Sequence, residues 1–336
     1  VPHFITVPIN ENGVVFDVDM NLVVQEAIAF DPFGFTDVYV YSHGWSNDAA
    51  RALDEYNRFS VDLHKQMIVL GRSVPPPFAR PPGDSLGVGI HWPSQITEDP
   101  NSPLNDLQLL TFFTMEQRAD AVGKNAVYTM LRLMINARHG TPNPLRFFLL
   151  GHSFGCKVLL SALQDLQVDV ANGTIAVDAG TSFSVVLLEP ATDHDNLDPG
   201  DIYGNVCQIA NLRLLMSTSG LDLALTKWFP LAHGLANLFH KGKKQDALGA
   251  VGPTPAAAAA FGGAKNVSVV PGFVATGLRG VQERFVVADL TPVHQFRVTN
   301  KLYSGGFSGS HSDINIDEVY QLVMGFLFGL APPPAP

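Results

Sequence analysis

Short apolar runs recur along the chain, separated by polar or Gly- and Pro-containing breaks. Most have the length of a strand buried on both faces. Residues 37–41, 86–92, 146–150, 182–188, 212–217 and 284–288 form this series, rich in Val, Leu, Phe and Tyr. The opening segments 4–7 and 14–18 read as paired strands across an Asn10-Glu11-Asn12-Gly13 turn, and 23–30 as a short helix before the Asp31-Pro32 break. Helical stretches fill the intervals at 47–70, 105–138, from 154 to about 166, and 316–328. Within 105–138, Val122, Ala126, Met130 and Met134 recur every four residues, one apolar face for a sheet, and Gly140 and Pro142 stop the helix. Residues 75–82 are a Pro-rich surface connector. Strands alternating with helices predict an α/β fold, a mostly parallel central sheet flanked by helices, as one domain over 1–336.

One region breaks this rhythm. Residues 224–239 are apolar and aromatic, with Trp228, Phe229, Leu231, Leu235, Leu238 and Phe239; a basic patch at 240–244 and an Ala/Gly/Pro tract at 249–263 follow. One reading makes 223–280 a cap or lid insertion, its apolar helix lining a pocket and its tract mobile. The other makes it a buried helix followed by a surface loop without a role.

Composition narrows the field. Of 336 residues, 46% are hydrophobic and 15% charged, so a large core is expected and disorder is not. The net charge of -10 argues against nucleic acid or an anionic membrane surface as the partner. No run reaches transmembrane length, and no basic-then-apolar signal sequence opens the chain. Of the two cysteines, Cys156 falls where a buried free thiol is expected, and neither has metal-ligand spacing. No cofactor or metal is called for. Nothing in these patterns sets oligomeric state or compartment.

The candidate chemistry centres on Gly151-His152-Ser153-Phe154-Gly155, which follows an apolar strand and opens a helix. That context is a nucleophile elbow, in which a strained turn lifts the serine hydroxyl above the sheet edge. Gly151 and Gly155 are expected where strand and helix pass too close for a Cβ. Serine needs a base, and the base needs a group to orient it. His311 fits as base, in the small-residue loop Gly305–Asp313 before the last helix; His294 is the runner-up. Asp222, just past the strand at 212–217, fits as the acid; Asp193 and Asp195, one strand earlier, are the alternatives, while Asp313 and Asp317 read as flanking the final helix. The backbone amides of Trp45 and Phe154 are the candidate oxyanion donors. His43 reads as holding its loop rather than as a second base, and with Trp228, Phe229 and Leu231 it is a candidate pocket residue.

Tyr41-Ser42-His43-Gly44-Trp45, Trp92-Pro93-Ser94, Leu150–Gly155, Ser219–Leu225 and Gly309–Asp313 together resemble the α/β-hydrolase superfamily, in the manner of a bacterial branch of esterase- and lipase-like serine hydrolases. The resemblance runs from Tyr39 to about Leu327. It implies a Ser153/Asp222/His311 triad and metal-independent hydrolysis of a small-molecule or lipid-like ester through an acyl-enzyme. Thioesterase, acyltransferase or peptidase chemistry on the same triad, and a non-catalytic binding protein on the same scaffold, are the competing expectations.

Overall fold

In the computed structural model, residues 3–14, 35–45, 51–58, 61, 85–95, 108–232, 246–273, 283–302 and 310–328 are described. Eight strands build one sheet: β1 (His3–Pro8), β2 (Asp37–Ser42), β3 (Ser85–His91), β4 (Arg146–His152), β5 (Ser182–Leu188), β6 (Leu212–Thr218), β7 (Lys265–Ser268) and β8 (Phe285–Asp289). Their order is β1-β3-β2-β4-β5-β6-β8-β7, and every neighbouring pair is parallel. Parallel neighbours require crossovers, which accounts for the strand–helix alternation.

Strand periodicity divides the core. On β4, Phe147 and Leu149 join one buried cluster, with the helices Gln108–Val122 and Phe154–Ala171, while Phe148 and Leu150 join the other, with the helix Asp317–Phe328. The same alternation holds on β5, where Phe183, Val185 and Leu187 face one way and Val186 and Leu188 the other. Each such side chain, fully buried, contributes about 1.5–3 kcal/mol. Both faces of the sheet are therefore closed off, and only strand ends remain for chemistry.

Val122, Ala126, Met130 and Met134 are buried together, as their spacing predicts. The helix carrying them is not continuous: a π-turn at Gly123–Val127 separates Gln108–Val122 from Tyr128–Arg138. A Cβ on Gly123 would lie 2.3 Å from the Val158 carbonyl oxygen and 2.6 Å from Ser161 Cβ, so two helix backbones touch at the turn. Lys157 is buried beside it, its Nζ 3.0 Å from Glu116 and 3.4 Å from Asp120.

At the chain's start, β1 pairs with β3, and the expected turn follows it, with the Asn10 amide donating to the Val14 carbonyl at 2.8 Å; residues 15–34, which include most of the expected second strand and the short helix, lie outside the described residues. So do the connector 75–82 and parts of the helix expected at 47–70, of which 51–58 are helical. Within 223–280, residues 233–245 and 274–280 are likewise outside; the rest is knitted to the sheet. Leu248 and Gly249 donate to the carbonyls of Thr192 and Pro190, and Gly249 accepts from Ser219, tying the exits of β5 and β6 together. The Ala-rich tract is a helix, Pro255–Ala260, capped by Thr254, whose hydroxyl accepts from the Ala257 amide. The short strand β7 was not legible, because Lys-Asn-Val-Ser carries a single apolar residue; at a sheet edge, Lys is well suited. Among the described residues no helix is long and apolar enough to cross a membrane.

At the amino ends of β2 and β4, Arg146 grips Asp37 with two hydrogen bonds of 2.7 and 2.6 Å. Asp37→Ala removes both of these bonds from a mostly buried guanidinium, a change that costs about 3–5 kcal/mol. Chemical denaturation should record that loss.

Candidate active site

Ser153 stands at the corner between β4 and the helix Phe154–Ala171 with φ 55° and ψ −123°. A non-glycine residue holds positive φ only when its surroundings enforce it. Here the Ser153 amide donates to the Leu188 carbonyl at 3.0 Å, and its own carbonyl accepts from Cys156 at 3.1 Å and Ala191 at 3.3 Å. The flanking glycines permit the corner. A Cβ on Gly151 would sit 2.8 Å from the Cys156 nitrogen, the helix-to-strand approach expected. Gly155 meets a different neighbour: its Cβ would be 2.1 Å from the Ser42 oxygen and 2.6 Å from the His43 oxygen, both at the exit of β2.

That exit loop crosses the serine. A Cβ on Gly44 would lie 2.9 Å from Ser153 Cβ and 3.2 Å from His152 Nδ1. His43, fully buried, anchors the loop. Its ring stacks on Trp92 with centroids 5.5 Å apart, and its carbonyl accepts from Trp92 Nε1 at 3.2 Å. Its Nε2 accepts from the Trp92 amide at 3.4 Å, so Nδ1 carries the proton and donates to the Gly44 carbonyl at 2.8 Å. The ring is thus neutral, and burial lowers its pKa to about 3.

Trp45, half-buried, closes over the helix start with its ring 6.0 Å from Phe112 and 5.9 Å from Phe154. Phe112 in turn lies 5.1 Å from Phe154 and 5.2 Å from Phe229. Of the residues read as pocket-lining after Asp222, Phe229 belongs to this aromatic set. Trp228 is half-buried beneath the Lys227 ammonium at 5.0 Å, and Leu231 is 43% exposed. Phe154 opens the helix, and its N–H is one of the donors a helix start leaves without an intrahelical acceptor.

Across the sheet ends, Asp222 is fully buried just past β6. Its Oδ1 accepts from the Leu225 amide at 3.0 Å, and its Oδ2 accepts from His311 Nδ1 at 2.6 Å. The base candidate is also held from behind: His152 Nε2 donates to the His311 carbonyl at 2.9 Å, with ring centroids 4.8 Å apart. Burial lowers the His152 pKa to about 3. The contacts among the described residues do not include a Ser153–His311 hydrogen bond; the two are joined through His152, the serine's chain neighbour.

The other acids and bases separate. Asp193 titrates among Glu116 and Lys157, pushed up to about 7 chiefly by burial and then by Glu116. Asp313 pairs with Arg297 at 3.2 Å, and Asp317 starts the final helix. His294 is fully buried, with Nδ1 2.8 Å from Ser219 Oγ. Sequence reasoning missed Glu189, which closes β5 at φ 47° with 0% exposure. An acid terminating an otherwise apolar strand is the signal that could have found it. Ligand atoms of His152, Glu189 and His311 lie within 4.8 Å of one another, the one group among the described residues with the composition to hold a metal ion.

Cys156 and Cys207 are both free; Cys156 is buried, with Sγ 3.5 Å from the Leu188 carbonyl.

Below pH 6.5 the unfolded chain protonates its histidines while buried His43 and His152 resist until about pH 3. The unfolded state then binds more protons, so stability is lost as pH falls through that window, on the order of 1 kcal/mol per pH unit for each ring. Urea midpoints should fall with acid, and His152→Gln should flatten the dependence. Among known proteins, no family model, no curated protein and no solved structure matches this chain.

Proposed function

We propose that the chain is an α/β-hydrolase-fold serine hydrolase that cleaves carboxylic esters through an acyl-enzyme. The observation that carries this reading is the Ser153 corner, where a non-glycine residue is held at φ 55° directly beneath the Gly44 loop. Strain of that kind is retained where it positions a reacting group. The Asp222–His311 pair at 2.6 Å is the second support, since an imidazole fixed at Nδ1 leaves Nε2 as the base. The hydrogen bond from nucleophile to base is often long in a resting site and tightens with substrate bound.

In this mechanism Asp222 orients His311, which takes the Ser153 proton as Oγ attacks the ester carbonyl. The amides of Trp45 and Phe154 receive the oxyanion at the helix start, where a developing negative charge is favoured. His311 then protonates the departing alcohol, and water activated by the same ring releases the acid. Trp45, Phe112, Phe154 and Phe229 supply an aromatic wall on the nucleophile's side, suited to medium-chain or aromatic acyl groups. The substrate on this reading is a small-molecule or lipid-like ester; thioesters, amides and acyl acceptors other than water share the same triad chemistry.

Ser153→Ala should abolish both fluorophosphonate labelling and turnover of p-nitrophenyl esters; persistence of either would falsify the assignment. Rates across esters, acyl thioesters and peptide anilides then rank the chemistries, with esters expected fastest. Gly44→Ala, whose new methyl collides with Ser153 Cβ, should depress turnover by at least about 10²-fold, the scale of a lost oxyanion donor. Wild-type turnover in that variant would count against the loop's role.

A further inference from the structure

Among the described residues, Glu189 is a buried carboxylate at the carboxyl ends of the strands that the proposed mechanism leaves idle. It is fully buried, and neither carboxylate oxygen accepts a hydrogen bond. Burying such a group costs free energy with no local return, so its retention needs a reason. Its backbone is pinned in the left-handed region at φ 47°, its amide donates to Ser217 Oγ at 2.9 Å, and Gly249 presses on its carbonyl carbon, where a Cβ would come within 2.6 Å. The side chain is thus aimed by three elements rather than left to drift.

What it is aimed at is a pair of imidazoles. Oε2 lies 3.7 Å from His311 Nδ1, and Oε1 lies 3.7 Å from His294 Nδ1. Of the two rings, His294 already has a hydroxyl at that nitrogen: Ser219 Oγ, which accepts from the Leu221 amide at 3.3 Å, lies 2.8 Å from His294 Nδ1. At His311, Nδ1–H is already given to Asp222 at 2.6 Å, so Glu189 waits about an ångström beyond hydrogen-bond distance behind an occupied donor.

We propose that Glu189 is a reserve positioning residue for His311, able to take over the orienting role of Asp222 from the neighbouring strand. The inference rests on the serine-hydrolase reading above. Burial first, then the charges of Asp222 and Asp313, hold the Glu189 carboxyl well above the usual carboxylate range. Asp222 holds the His311 proton and so keeps Glu189 idle. Removing the Asp222 side chain frees that proton and lifts the second of the restraints, its charge, while burial persists. Glu189 then ionises and closes on His311 Nδ1–H, while Arg297 continues to offset Asp313 at 3.2 Å and His152 and His294 stay neutral. Asp222 follows β6 and Glu189 follows β5, so one imidazole is served from two adjacent strand ends.

The test compares Asp222→Ala, Glu189→Gln and the double variant by ester turnover and fluorophosphonate labelling rate across pH. Asp222→Ala should lose about 10–10²-fold, well short of the roughly 10⁴-fold that follows loss of an orienting acid without a substitute. Glu189→Gln alone should stay within a few-fold of wild type. The double variant should fall the full distance. Asp222→Ala should also acquire a rising limb in its pH profile, from Glu189 ionisation, that the double variant lacks; a merely structural Glu189 leaves the profile unmoved. Because Asp222 also caps the turn at Leu225, Asp222→Ser, which keeps a capping oxygen, repeats the comparison if the alanine variant does not fold. Equal rates and equal profiles for the single and double variants overturn the proposal, as does a Glu189→Gln loss as deep as that of Asp222→Ala. Failure of wild type to label, or Ser153→Ala labelling normally, removes the hydrolase reading instead, so the two failures are distinguishable.

Discussion

The arrangement of this molecule depends on backbones approaching more closely than side chains normally allow. Three chain segments meet at one corner: the end of β4, the start of the helix Phe154–Ala171 and the exit of β2. Gly151, Gly155 and Gly44 stand at the three contacts, and a methyl on any of them would fall within 2.9 Å of a neighbouring atom. Protein interiors do not yield to overlap of that depth without backbone movement. The strained torsion of Ser153 follows from this packing: its neighbours fix where the chain can go, and hydrogen bonds to Leu188, Cys156 and Ala191 absorb the result.

Around that corner the polar groups are sorted by the company they keep. His43 and His152 are buried and neutral, each spending its protonated nitrogen on a backbone carbonyl, so they work as braces. His311 is the ring held by a carboxylate at hydrogen-bond distance, through Nδ1, which leaves its other nitrogen outside that contact. Lys157, Glu116 and Asp120 form a separate buried ion group that fastens the elbow helix to its neighbour. One residue type thus takes different roles according to whether carbonyl, indole or carboxylate faces it.

Much of this was legible in the sequence, and the gaps have physical causes. The buried strands stood out because a parallel sheet covered on both faces needs unbroken apolar runs, and Phe147-Phe148-Leu149-Leu150 is such a run. The glycine positions were readable because their spacing around Ser153 has a steric purpose. Gly155 was assigned the right constraint but the wrong neighbour, since sequence shows the adjacent helix and hides a strand a hundred residues away. The π-turn at Gly123 was invisible because it answers a helix contact across the fold, and β7 because an edge strand of four residues carries almost no pattern. Glu189 escaped because a lone acid at a strand end reads as a turn residue until the two imidazoles beside it come into view.

The sheet's topology carries a consequence for how the chain reaches this state. With every neighbouring pair parallel, the eight described strands form no hairpin with one another, so none of these pairs can zip together locally. The central contact of β2 with β4 joins residues about as far apart as Asp37 and Arg146, and β3 must be slotted between β1 and β2 after both have been synthesised. Loops of that length must close before any ladder rewards them, which places the chain among slow folders whose intermediates expose apolar strand edges. Assembly of this protein in a cell therefore leans on conditions that keep half-built sheets apart until β4 has found its neighbours.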